Sequence, residues 1–150
     1  MNKIFNSSFE TGLRILLLLS SIQPQTATVD RITAYDFISV YGQDFGVSKT
    51  NLHGDSNFIF SEIASKRSCC NEGIKEFVLK GLISINRTDK GFTYYLSQSG
   101  KKYVDSLSSD YATQYLEVSK NVHEKFASVT DEDLMKFINK QAIRELRRKA

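Results

Sequence analysis

Glu76-Phe77-Val78-Leu79-Lys80-Gly81-Leu82-Ile83 is the stretch on which the reading of this chain turns. A helix that stops here needs a residue at ease in the left-handed region, and Gly81 supplies it. The period then changes. Leu82-Ile83-Ser84-Ile85-Asn86 and Phe92-Thr93-Tyr94-Tyr95-Leu96 are short β-prone runs joined by Arg87-Thr88-Asp89-Lys90-Gly91. That spacing predicts a hairpin with a turn of about five residues. Ser97 or Ser99 then caps a helix through Leu107, and Gly100 lets the chain leave the sheet.

Upstream, Phe9, Leu13, Leu16, Leu17 and Ser20 fall on one face of a helix over residues 8–22, capped by Ser7 or Ser8 and ended by Gln23-Pro24. A second helix is expected over residues 28–41, with Val29, Ile32, Phe37, Ile38 and Tyr41 buried and Gly42 at its end. Residues 42–57 are polar and turn-rich and read as a loop. Phe58–Arg67 and Ser68–Leu79 read as two helices. Downstream, Tyr111, Tyr115, Val118, Val122 and Phe126 recur at intervals of four, three, four and four, an apolar helical seam. Thr130 to Asp133 opens a last helix in which Leu134, Ile138, Ala142 and Leu146 share a face. Helices, one hairpin and then a helix is the order of a winged helix-turn-helix. The expectation is a mainly α fold with a small β-hairpin, residues 1–108 forming the winged-helix domain. Residues 109–150 would be a C-terminal helical extension packed on that domain or on a partner.

Composition narrows the function. The chain has 150 residues, 41% hydrophobic and 25% charged, with one proline, which is the balance of a globular domain and leaves no room for a proline-rich linker. The adjacent Cys69 and Cys70 cannot build a disulfide framework, which points to a reducing, cytoplasmic setting. Glu10 and Arg14 interrupt the apolar start, and the uncharged run Ile15–Leu19 is too short for a signal or membrane segment. Net charge is +3, yet residues 1–75 carry 7 basic and 7 acidic side chains. A neutral body of that kind is a poor match for a phosphate backbone.

Motifs for chemistry are missing. No phosphate-binding loop, dinucleotide fingerprint or zinc-protease helix occurs, and His53 and His123 stand outside any nucleophile context. Neighbouring cysteines diverge by about 100° on a helix and lack ligand spacing. No enzyme, metal, cofactor, membrane or small-molecule substrate is therefore expected. DNA binding is the alternative: a dimeric winged-helix transcription regulator would use Lys75 on the third helix and Arg87 and Lys90 on the wing. Glu72 and Glu76 interleave with those cations, so direct DNA contact would be weak. The expected partner interface is the seam Tyr111, Tyr115, Val122 and Phe126, with Leu134 and Ile138 and the basic end Arg144, Arg147 and Arg148.

Several short motifs, in order, carry a family resemblance. They are Phe5-Asn6-Ser7-Ser8-Phe9-Glu10-Thr11-Gly12-Leu13-Arg14 with the leucine run, Tyr35-Asp36-Phe37, Asn51-Leu52-His53, Glu62, the basic pair Lys66-Arg67, and the helix ending in Gly81-Leu82-Ile83. The chain resembles the middle component of ABC three-component systems, the Lamassu-type antiphage defence operons of bacteria. It departs from the pattern at Gly54, where proline is expected after His53, and over Asn57–Ser61. The resemblance implies a non-catalytic adaptor. Its partners would be an SMC-like ATPase that senses DNA and an effector nuclease of the same operon, which the adaptor holds in check. DNA would be met only indirectly, through the complex. His53, Glu62 and Arg67 would be structural, tying the loop to the third helix.

Overall fold

The computed structural model describes the backbone of residues 7–43, 45–49, 52 and 59–149, and the side chains of these except 59–64, 142 and 145–149. Within them run α1 (Ser8–Ser21), α2 (Val29–Val40), α3 (Ile59–Leu79), β1 (Ile83–Thr88), β2 (Gly91–Leu96), α4 (Gln98–Asp105), α5 (Asp110–Phe126) and α6 (Asp131–Lys149). The fold is mainly helical with one antiparallel hairpin. Five of the six helix starts carry a side-chain cap among the described residues. Ser7, Thr28, Ser97 and Ser109 accept from the N–H three residues on, and Thr130 does the same for Asp133.

α1 is central. It packs on α3 along one side and α5 along another, and α2 closes the core against α3, α5 and α6. Because α1 is surrounded, its burial is not the single stripe the sequence suggested. Ile15, Leu16, Leu17, Leu18 and Leu19 are all buried, as are Thr11 and Arg14, whereas Phe9 is exposed and meets Phe77 at a tilt, ring centroids 5.7 Å apart. Burying a run of five aliphatic side chains is worth on the order of 10 kcal/mol before entropy is counted.

Two expectations change. The break at Ser68 does not occur: residues 59–79 form one helix, because docking on α1 and α2 outweighs the weak local preference of Ser68-Cys69-Cys70-Asn71. The hairpin turn is also tighter. The ladder pairs Arg87 with Phe92 and Thr88 with Gly91, leaving Asp89 and Lys90 at the tip. Thr88 Oγ1 donates to Gly91 O and accepts from Lys90 N–H, and Gly91 takes φ 120°. Gly81, at φ 77°, ends α3 in the left-handed region as expected.

Behind the hairpin, Ala27 forms an isolated antiparallel bridge with Tyr94, between α1 and α2. The order helix, bridge, helix, helix, hairpin, helix is compatible with a winged helix. α5 and α6 pack back onto α1 and α2. No helix among the described residues is long and apolar enough to cross a membrane.

Candidate functional site

Where α1, α2 and α3 cross, three charged side chains meet out of water. Arg14 is 1% exposed and Asp36 0%. The guanidinium grips the carboxylate with two bonds, Nε to Oδ1 at 2.8 Å and Nη2 to Oδ2 at 3.1 Å. Lys66 Nζ reaches Oδ2 at 3.3 Å, and Tyr115 OH donates to Oδ1 at 2.6 Å from α5. Four donors thus fill the acceptor capacity of one carboxylate. Arg14 also donates to Thr11 Oγ1 at 3.3 Å.

Burial alone would push the Asp36 pKa up. Arg14 and then Lys66 outweigh it and hold the carboxyl well below the usual range. Burial would likewise lower Arg14, but Asp36 outweighs it and keeps the guanidinium firmly charged. The Tyr115 and Tyr111 phenols are pushed up, by burial first, and stay neutral. The cluster is an anchor for four helices. Near pH 7 Asp36 and Arg14 stay charged and the two phenols neutral.

Cys70 lies in the same region. Burial, then Asp36, pushes its thiol up to about 12, so it is not a reactive thiolate. Cys69 is half-buried. Among the described residues no group of three or more His, Cys, Asp or Glu could hold a metal ion.

A second polar cluster fastens α6. Arg31 Nε donates to Asp131 Oδ1 at 2.7 Å, Nη1 to Tyr35 OH at 3.0 Å and to Phe126 O at 3.1 Å, and Nη2 to Val129 O. Thr28 Oγ1 donates to Asp131 Oδ2 at 2.6 Å. Tyr35 OH also lies 3.0 Å from His123 Nδ1, and His123 Nε2 meets Gln25 Oε1; a neutral ring that donates Nε2–H to that carbonyl accepts the Tyr35 proton at Nδ1. His123 therefore has both ring nitrogens committed to holding helices together, and burial, then Arg31, lowers its pKa. It lines a shallow cleft of about 480 Å³ with Gln25 and Arg31. A larger cleft, about 730 Å³, lies between residues 46–49 with Leu52 and α5, and neither Cys69, Cys70 nor His123 lines it.

The apolar seam requires a correction. Tyr115 and Val122 are 0% exposed and Phe126 6%, and Leu134 and Ile138 on α6 are also 0%. Tyr111 is half-buried and stacks on Tyr115. These residues are core of this chain, because α5 lies directly on α1 and α2, and they offer a partner no face in this conformation. Phe126 further packs on Phe137, which meets Phe45. Arg144 is exposed on α6, while the side chains of Arg147 and Arg148 lie outside the described residues.

His53 and the side chain of Glu62 also lie outside the described residues. Arg67 is on the surface of α3 and joins α2 by an ion pair with Asp30 at 2.8 Å. On the face expected to read DNA, Lys75 pairs with Glu72 at 3.7 Å and Lys80 with Glu76 at 3.1 Å. The wing keeps Arg87 over the Phe92 ring at 5.6 Å and Lys90 at the exposed tip.

Arg14, Asp36 and Lys66 each stand within one of the motifs that carried the resemblance, and the fold brings the three together. Over residues 4–148 the chain matches ABC-three component (ABC-3C) system Middle Component 2. It belongs to that family. The comparisons with curated proteins and with solved structures found no match. Membership makes the chain a middle component of a three-component system, with other components as its companions. What sequence reasoning missed is that Arg14 and Lys66 are interior. The signal lay in their motif positions, since their residue type alone predicts a solvated surface.

Proposed function

We propose that this chain is the non-catalytic adaptor of a Lamassu-like antiphage complex. It bridges an SMC-like ATPase and an effector nuclease, and it restrains the effector until DNA is sensed. The family match over nearly the whole chain is the observation that carries this reading. Physical support comes from the buried charged groups: Arg14, Asp36 and Lys66 join helix to helix, as a rigid scaffold requires. In this reading residues 1–108 are a winged-helix body, and residues 109–150 are an extension that completes its core. Arg67, through Asp30, is a structural tie between α3 and α2, with His53 and Glu62 assigned to the same loop anchor. Arg144, with Arg147 and Arg148, supplies a basic end that orients a partner. The complex works in the cytoplasm, and DNA is met through the ATPase. A transcription regulator is the poorer reading, since Lys75 and Lys80 already face acidic neighbours.

Purification of the tagged chain from nuclease-treated cells that express all three components tests this. Stoichiometric recovery of both companions is expected. Recovery of the chain alone, with binding to its own promoter fragment, would replace the adaptor by a regulator.

A further inference from the structure

The hairpin has one edge filled and one edge open. On its inner side β2 is bridged by Tyr94 N–H donating to Ala27 O at 2.8 Å and Ala27 N–H to Tyr94 O at 3.1 Å. β1 is the outer strand, and among the described residues its far edge meets no backbone. Ladder parity shows which groups face outward. Ser97 N–H donates to Leu82 O at 3.2 Å, so Leu82 and Ser97 form a hydrogen-bonded pair. Alternation makes Ser84 with Tyr95 and Asn86 with Thr93 hydrogen-bonded pairs too. Ile83, Ile85 and Arg87 then turn their N–H and C=O groups away from β2. The same parity sends the Tyr94 groups toward Ala27, where they are found.

Protein edges are usually blunted by proline, a bulge or a covering element. Here the register is unbroken over six residues, none of them proline, and positions 85–88 are exposed. Beside the edge, Ile85 is 47% and Phe92 49% exposed on one face of the hairpin. The hairpin and the helix that follows it are rich in cations. Residues 81–104 hold Arg87, Lys90, Lys101 and Lys102 against Asp89, a net +3 that equals the charge of the whole chain. None of those four cations is in an ion pair among the described residues.

We infer that β1 is the docking edge for an extended acidic segment of another component of the same system, which adds beside it as a further strand. The inference deepens the adaptor reading and rests on it. Main-chain bonds to Ile85 and Arg87, on the exposed part of the strand, supply affinity, and side chains supply selectivity. An apolar residue of the incoming strand lies beside Ile85, and carboxylates face Arg87 and Lys90. A second copy of this chain would set the same basic wing against itself. Nucleic acid would leave the outward backbone groups and Ile85 unused.

The test is co-expression of the full chain with the other two components, followed by nuclease treatment and quantitative co-purification. Ile85→Pro removes one outward donor and leaves the bonds to β2 intact, which an edge position tolerates. Ile85→Thr keeps the donor. Arg87→Glu reverses an exposed charge and carries the test should the proline variant fail to fold. Expected is a roughly tenfold loss of a companion for Ile85→Pro and for Arg87→Glu, with Ile85→Thr near wild type. Full recovery with both variants overturns the edge while leaving the adaptor standing, and a wild-type chain that recovers no companion overturns both. Recovery abolished by nuclease assigns the edge to nucleic acid, and an edge-dependent dimer of the chain alone assigns it to a second copy. Either result overturns the inference.

Discussion

Asn at position 36 would keep the shape of Asp36 and remove its charge. Four donors converge on the native carboxylate: Arg14 twice at 2.8 and 3.1 Å, Lys66 at 3.3 Å and Tyr115 at 2.6 Å. An amide offers one oxygen and turns an N–H toward donors. Two cations then remain in a site where Arg14 is 1% and Lys66 7% exposed, having lost the carboxylate that balanced both. Breaking a buried pair in this way costs about 3–5 kcal/mol, a large share of the roughly 5–15 kcal/mol that holds a domain folded. For this length it corresponds to a fall in Tm of about 6–20 °C. Urea unfolding followed by far-ultraviolet circular dichroism at pH 7 measures the change, with Arg67→Ala as a control. That control breaks the exposed pair with Asp30 and should cost no more than about 1 kcal/mol. The fourfold variant Arg14→Met, Asp36→Leu, Lys66→Met, Tyr115→Phe, which removes every donor along with the carboxylate, should recover much of the loss, since apolar replacement of a whole buried ion cluster is often neutral. A cost below about 1 kcal/mol for Asp36→Asn would refute the anchor.

Acid should act through the same carboxylate. Its folded pKa lies below the unfolded value of about 3.9, so its contribution is complete above that pH and is lost as pH falls below it. His123 behaves similarly at higher pH. Its lowered folded pKa means stability is lost as pH falls from about 6.5, and His123→Gln should flatten the Tm-against-pH curve between about pH 7 and 5. Arg31→Ala should cost about 2–3 kcal/mol and raise amide exchange at the start of α6, where Asp131 and the Phe126 and Val129 carbonyls lose the guanidinium; Thr28 and the Val129 N–H still serve the first two. Gly100→Ala would set a methyl 2.1 Å from Leu82 O, and a loss of about 1–3 kcal/mol in urea is expected.

Local signals carried the element order. Caps at Ser7, Thr28, Ser97 and Ser109 and the stop at Gly81 depend on neighbours in sequence, and they stand where the residue types place them. Long-range choices were not legible. Ser68 looks like a boundary only until α3 docks on α1. Tyr115 and Phe126 look like a partner seam because periodicity identifies a buried face without naming what buries it. The site was concealed more deeply still. Arginine and lysine are almost never interior unless paired, and the pairing of Arg14 and Lys66 with Asp36 spans 22 and 30 residues of chain. Only the motif positions hinted that these three side chains belong together.

The most direct measurement concerns bridging itself. Light scattering on size-exclusion fractions would report whether the other two components associate, with and without this chain, at equal concentrations after nuclease treatment. The adaptor account predicts a complex of all three and little or no association of the two companions alone. Companions that associate fully without this chain would contradict it.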